Sequence, residues 1–266
     1  MAVRHRCLAG IAAVVLASCS APGPASPTPP PGLAVQPTAQ VVDALDPVAR
    51  SHWKTISPGV RGLVLASSAT ALVSLVEYAK SSTVVDPYKD NFRYVIEGDG
   101  MCQVEATKLS VRAGDLVVAP KGVARGCTAR RKTLTLLTVS FARGQSRVGI
   151  DLQPPPGGKI NAAKQMHSLA VMVMSGGLVT QGLYQGYYGE ILAASGGNLE
   201  GAGTRDADTF IYIRSGEGSA VLDGRPTRLK AGTLLVVPVG ARFSVPDRGT
   251  PIEALIVVHY RQVSEI

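Results

Sequence analysis

Ala113-Gly114-Asp115-Leu116-Val117-Val118-Ala119-Pro120-Lys121-Gly122 is answered, 118 residues later, by Ala231-Gly232-Thr233-Leu234-Leu235-Val236-Val237-Pro238-Val239-Gly240. Each copy has an upstream companion, Tyr94-Val95-Ile96-Glu97-Gly98-Asp99-Gly100 and Tyr212-Ile213-Arg214-Ser215-Gly216-Glu217-Gly218, at the same offset. One offset held from Phe92 and Phe210 through Gly122 and Gly240 marks a duplicated unit.

Around these phrases the texture is alternation and β-branched residues broken by Gly and Pro. Leu63–Leu65, Ala71–Tyr78, Arg93–Ile96, Leu116–Ala119 and Thr133–Phe141 read as strands in the first copy. Leu169–Met174, Leu183–Leu192, Thr209–Arg214, Leu234–Val237 and Ile252–Tyr260 do so in the second. Between them, Pro154-Pro155-Pro156-Gly157-Gly158 marks a boundary. No long helical pattern separates the strands, so a parallel βαβ fold is disfavoured and two antiparallel barrels or sandwiches are expected. One short helix is expected over Val48–Trp53, with Asp46 as its cap and Pro47 in its first turn.

The chain opens differently. Arg4, His5 and Arg6 precede the apolar stretch Leu8–Leu16, which suits a signal peptide and is too short for a spanning helix. It ends in Leu16-Ala17-Ser18-Cys19, which resembles the lipobox of bacterial lipoproteins. That resemblance implies cleavage before Cys19, a diacylglycerol on its thiol and an acylated (palmitate-type) amino terminus, together a stable membrane anchor. Residues 1–18 are then the signal peptide. Residues 19–40, carrying Pro22, Pro24, Pro27, Pro29, Pro30, Pro31 and Pro37, form a tether. Such a segment buries no core and reaches roughly 3 Å per residue in polyproline geometry, about 60 Å in all. The address implied is the bacterial cell envelope, at the periplasmic or another extracytoplasmic face.

With 45% apolar and 17% charged residues the remainder can build a globular core, and with only 5% aromatics that core rests on Val, Leu, Ile and Ala. Net charge is +8; Arg4 and Arg6 leave with the signal peptide, so the mature chain stands at +6 and suits an anionic ligand or membrane surface. No basic run is interleaved with aromatics, so nucleic acid is not an expected partner.

Gly114-x5-Pro120-x-Gly122 and Gly232-x5-Pro238-x-Gly240 resemble the second motif of cupins, and Gly98/Gly100 and Gly216/Gly218 resemble the glycine end of the first. The resemblance implies a bicupin: an all-β chain of two tandem cupin-like β-barrels of the double-stranded β-helix (jelly-roll) type, over 41–150 and 151–266. It also exposes a departure. Where metal-dependent cupins place a glutamate this chain has Asn91 and Thr209, and where they place the second-motif histidine it has Arg125 and Phe243. Guanidinium and phenyl groups offer no lone pair to a divalent cation, so neither metal nor another cofactor is expected.

Strand alternation points Asn91, Arg93, Arg125 and Cys127 into the first barrel and Thr209, Ile211 and Phe243 into the second. The first would then hold a polar, cationic pocket, with Arg93 and Arg125 clamping a carboxylate, phosphate or acidic sugar. Either arginine could instead extend to solvent. Cys102 and Cys127 are the cysteines left besides Cys19 and, in an oxidising compartment, are most simply a disulfide; buried or reactive thiols are the alternatives. Tyr184, Tyr187, Tyr188 and Glu190 cluster locally, and metal-free cupin-like epimerases pair a His base with a Tyr acid, which directs attention to His167 and His259. His52 reads more simply as a partly exposed helix residue, and Arg205, Asp206 and Asp208 precede a strand. Arg125, Arg130, Arg131 and Lys132 form a basic stretch, most simply a solvated turn, which could equally face anionic lipid or polymer. The leading expectation is binding of a small anionic ligand or an envelope partner. A metal-independent isomerase, lyase or epimerase acting on a sugar or organic acid is the alternative, and a purely structural duplicate the third.

Overall fold

The computed structural model describes residues 39–46, 51–67, 71–80, 90–119, 125–141, 158–162, 179–185, 189–196, 207–245 and 252–260. The expected signal peptide, Cys19 and most of the tether lie outside them, as does the expected strand Leu169–Met174. Residues 36–266 form one compact unit.

The described residues are nearly all strand. The first copy contains β1 (Gln40–Asp43), β2 (Lys54–Ser57), β3 (Val60–Ser67), β4 (Ala71–Ala79), β5 (Asp90–Glu97), β6 (Asp99–Val104), β7 (Thr107–Arg112), β8 (Asp115–Ala119), β9 (Arg125–Ala129) and β10 (Thr133–Phe141). The second contains β11 (Gly158–Asn161), β12 (Val179–Gln185), β13 (Gly189–Gly196), β14 (Ala207–Ser215), β15 (Glu217–Leu222), β16 (Arg225–Lys230), β17 (Thr233–Val237), β18 (Phe243–Ser244) and β19 (Ile252–Tyr260). Two expectations change. The run Leu183–Leu192 is two antiparallel strands, β12 and β13, because Gly189 opens a second strand that folds back on the first. Of the helix expected over Val48–Trp53, residues 47–50 lie outside the described part and Ser51–His52 form a turn into β2.

The large sheets run β11-β8-β5-β10-β4-β3-β2 and β1-β17-β14-β19-β13-β12; the small ones run β7-β6-β9 and β16-β15-β18. Shifting by 118 residues maps β8, β5, β10, β4 and β3 of the first large sheet onto β17, β14, β19, β13 and β12 of the second; among the described residues β2 has no counterpart, and the opposite edge strands are exchanged. β11, at the start of the second copy, pairs with β8 of the first, while β1, at the start of the first copy, pairs with β17 of the second. Each copy therefore lends its opening strand to the other's sheet, covering an edge that would otherwise be free to pair with another chain.

Alternation sorts side chains into three cores. Val95, Val117, Cys102, Cys127, Leu134 and Leu136 lie between the large and small sheets of the first copy. Ile211, Ile213, Ala220, Leu235, Val237 and Ile256 fill the matching space of the second. The opposite faces of the two large sheets meet in a shared core, where Phe92, Tyr94, Leu137 and Val139 pack with Phe210, Tyr212, Leu255 and Val257. Equivalent residues touch across it: the Tyr94 and Tyr212 rings lie 5.8 Å apart, and Phe141 stacks on His259 at 4.4 Å. Residues 118 apart meeting each other is the sign of a two-fold arrangement of the copies.

The repeated glycines hold the turns. Gly98 and Gly216 have φ of 90° and 86°, Gly114 and Gly232 of 92° and 88°, a region costly for any residue with a Cβ. A Cβ on Gly98 would also collide with the Thr133 carbonyl oxygen.

Candidate functional site

Among the described residues, the one buried guanidinium lies in the interior of the first copy. On β5, Phe92 and Tyr94 face the shared core, so Asn91 and Arg93 face inward toward the small sheet. Arg93 is 5% exposed and Asn91 3%. Arg93 Nε donates to Asn91 Oδ1 at 2.6 Å, and Asn91 Nδ2 donates to Ser140 Oγ at 2.7 Å. From the facing small sheet, Cys127 Sγ accepts from Arg93 Nη1 at 3.4 Å. Cys127 is joined to Cys102 in a disulfide between directly opposed residues of β6 and β9. Tied in this way, the sulfur offers a weak neutral acceptor and no thiolate.

Opposite Arg93 in the β5–β10 register stands Thr138, as Ser140 stands opposite Asn91. The Thr138 hydroxyl is buried with no hydrogen-bond partner. Four polar side chains on adjacent strands thus form a patch beneath the disulfide, and its charge is positive. Among the described residues no carboxylate pairs with Arg93. Removing the partner of a buried charge costs about 3–5 kcal/mol in typical cases, so an uncompensated guanidinium is a strong demand for an anion.

The metal implied by the family resemblance does not fit here. Asn91 Oδ1 is taken by Arg93, the cysteine sulfurs are bonded to each other, and the adjacent charge is a cation. Among the described residues no three His, Cys, Asp or Glu side chains converge.

The second copy answers these positions with apolar groups, Thr209 excepted. Thr209, Ile211, Ile256 and Val258 stand where Asn91, Arg93, Thr138 and Ser140 stand, and all four are fully or almost fully buried. Ala220 and Val245 replace the disulfide, and Phe243, where Arg125 stands, packs against this core. Thr209 also leaves its hydroxyl unpartnered, so an orphaned hydroxyl alone does not distinguish the copies; the guanidinium does.

Of the residues singled out from sequence, Asn91, Arg93, Cys102 and Cys127 are brought together. Arg93 does not extend to solvent, because its neighbours on β8 and β10 enclose it. Arg125 begins β9 opposite Val104, and its side chain lies outside the described residues, as do those of Tyr184, Tyr187, Tyr188 and His167. His259 is a core residue against Phe141, and Asp208 braces a turn by accepting the Val239 N–H at 3.1 Å. Arg130, Arg131 and Lys132 are exposed in the bend before β10. Thr138 and Ser140 were missed. Their signal was present: two hydroxyls alternate with Leu137, Val139 and Phe141 where the matching strand has Ile256 and Val258.

At the shared core, burial raises the Tyr94 phenol to about 12, with nearby Arg214 opposing the shift, and burial also raises Tyr212. Arg214 in turn pairs with Glu253, which also accepts from Ser215 at 2.7 Å. Tyr94 and Tyr212 meet across the contact between the copies, while Arg214, Ser215 and Glu253 lie within the second.

This is a protein of the cupin fold, all-β, in which the first copy keeps a polar interior. The structure is similar to a cupin 2 conserved barrel domain protein from Leptotrichia buccalis, at 18% identity and a TM-score of 0.62, over 84% of this chain and 97% of that one. It is also similar to salicylate 1,2-dioxygenase from Pseudaminobacter salicylatoxidans, at 15% identity and TM-score 0.65, over 86% and 87%. A third likeness is to the protein Ylba from E. coli, at 14% identity and TM-score 0.62, over 86% and 93%. Identities this low carry the fold and not the chemistry. No family model and no curated protein matches the chain.

Proposed function

We propose that this chain is a lipid-anchored bacterial envelope protein carrying a metal-free bicupin, and that its first barrel binds a small anionic ligand. The observation that carries the reading is Arg93: a buried guanidinium, held by Asn91 and Cys127, that meets no carboxylate among the described residues. A carboxylate, phosphate or acidic sugar accepting from Arg93 and reaching Thr138 would satisfy both groups at once. Arg125, at the head of β9, is the second cation assigned to this clamp. The second barrel, over 151–266, has the same frame with an apolar interior, and its role is to complete the shared core. Envelope partners reach the pair of barrels through the tether of residues 19–40, and Cys19 supplies the membrane attachment.

The catalytic alternative, a metal-independent isomerase, lyase or epimerase, needs a titratable base near the bound anion. The described residues around Arg93 are amide, hydroxyl and disulfide, so binding is the better reading. The test is calorimetry of the full-length chain with a panel of small carboxylates, phosphates and acidic sugars. One class is expected to bind with an affinity that Arg93→Met removes; unchanged affinity in that variant overturns the proposal. For the anchor, Cys19→Ser should release the protein from the membrane fraction, and retention of the variant there would sink it.

A further inference from the structure

A second site lies on the outside of the first copy, where the exchanged strand β11 crosses β8. Here β7, β8, β11, the start of β6 and the bend after β9 border a cleft of about 330 Å3 whose lining includes Asp99, Ser110, Arg112, Asp115, Arg130, Lys159 and Asn161. Lys159 and Asp115 settle each other: the ammonium sits 3.5 Å from the carboxylate and donates to the Ser110 carbonyl at 2.9 Å. Asp115 also accepts the Arg112 N–H at 3.1 Å and is buried. The guanidinium groups of Arg112 and Arg130 have no such partner among the described residues. Asp99 faces Arg112 across the β6–β7 hairpin without forming an ion pair with it.

At the matching place on the second copy the charged side chains are paired. Lys230, standing where Arg112 stands, is bridged to Asp43 at 2.6 Å, and Asp43 stands where the first copy has Asn161. Glu217, in the place of Asp99, is paired with Arg228 at 3.0 Å, in the place of Ser110. In the first copy an amide has replaced the carboxylate and a serine the arginine, so the arrangement that neutralises this corner is missing and an open cleft with two free guanidiniums remains.

We propose that this cleft binds a phosphate group, held by the forked donors of Arg112 and Arg130 with Lys159 beside it. A single carboxylate would bring no more than Asp99 already offers from the facing strand. A tetrahedral group of higher charge, with more acceptor oxygens, can engage both guanidiniums against that competition. The site is independent of the interior reading, since none of its residues lies on the inner faces of β5 or β10.

The experiment is NMR titration of the full-length chain in neutral detergent at fixed ionic strength, reading the amides of residues 110–112 and 130. Inorganic phosphate, glycerol phosphate and soluble short-chain phosphatidylglycerol are the probes. Saturable shifts at these amides are expected, weakened at least about fivefold by Arg112→Ala and by Asn161→Asp, and strengthened about threefold by Asp99→Asn. Response to the first two probes assigns a free phosphate, and response to the phospholipid alone assigns a lipid headgroup; either supports the site. No saturable shift with any probe overturns it, as does an Asn161→Asp variant that binds as tightly as the original chain. Asn161→Asp installs the residue the second copy already folds with, so its result does not depend on whether Arg112→Ala folds. Shifts at residues 91–93 report the interior separately.

Discussion

The two copies share a frame down to the turn conformations and differ in what the frame encloses. Even the strained hairpin residues correspond: Glu105 and Asp223, 118 apart, have φ of 54° and 48°. Asp115 and Thr233 brace the same turn, each accepting a backbone N–H at 3.1 Å, from Arg112 and Lys230 respectively. Yet Arg93 is set against Ile211, Thr138 against Ile256, and a disulfide against Ala220 and Val245. The frame's positions are constrained by backbone geometry and by the partner copy. An interior needs only volume and satisfied polar groups, so it is where duplicates diverge.

The sharpest way to break this comparison is to exchange the interiors. Ile211→Arg would place an unpaired cation among Ile213, Leu235 and Ile256, and should cost more than about 4 kcal/mol, read by urea unfolding. A tolerated arginine there would mean that the second interior is not the apolar core described.

A smaller effect is expected at the turns. Gly98→Ala, with a positive φ and a carbonyl in the way, should cost about 3 kcal/mol. Gly224→Ala, at φ 81° with open space around it, should cost about 1 kcal/mol. Equal losses in the two variants would show that dihedral strain alone sets the effect.

The disulfide closes a separation of 25 residues. Cys102→Ala with Cys127→Val, the pair the second copy uses, should lower stability by about 3 kcal/mol, measured by denaturant midpoint. No change would place the bond's contribution in orienting Arg93.

At the shared core, Tyr94 ionises at about 12 when folded and near 10 when unfolded. The unfolded chain therefore releases its proton first as pH rises. The contribution is intact below pH 10 and is lost by pH 12, amounting to about 2–3 kcal/mol. Tyr94→Phe should flatten the stability profile between those values.

The smallest stability effect belongs to Arg93→Ile, the second copy's residue. It removes a buried charge and should leave stability unchanged or raise it by about 1 kcal/mol while abolishing anion binding. A large loss of stability instead would reveal an anion belonging to the fold itself.

Much of this was legible in the sequence. The offset of 118, the turn glycines and the alternation in β5 and β14 fix the all-β duplication, because period-2 alternation and positive φ are local demands that residues express one at a time. The same alternation aimed Asn91, Arg93 and Cys127 inward. Arg93's burial was not legible, since a long side chain can reach solvent unless neighbouring strands close over it. Nor were β6, β7, β15 and β16, whose exposed residues weaken the apolar pattern. Thr138 gains meaning only from standing opposite Arg93. Least readable was the exchange of β1 and β11: which edge a short strand joins depends on hydrogen bonds to residues far along the chain, 40 positions for Gly158 with Val118 and 196 for Gln40 with Val236, and no local pattern encodes that choice.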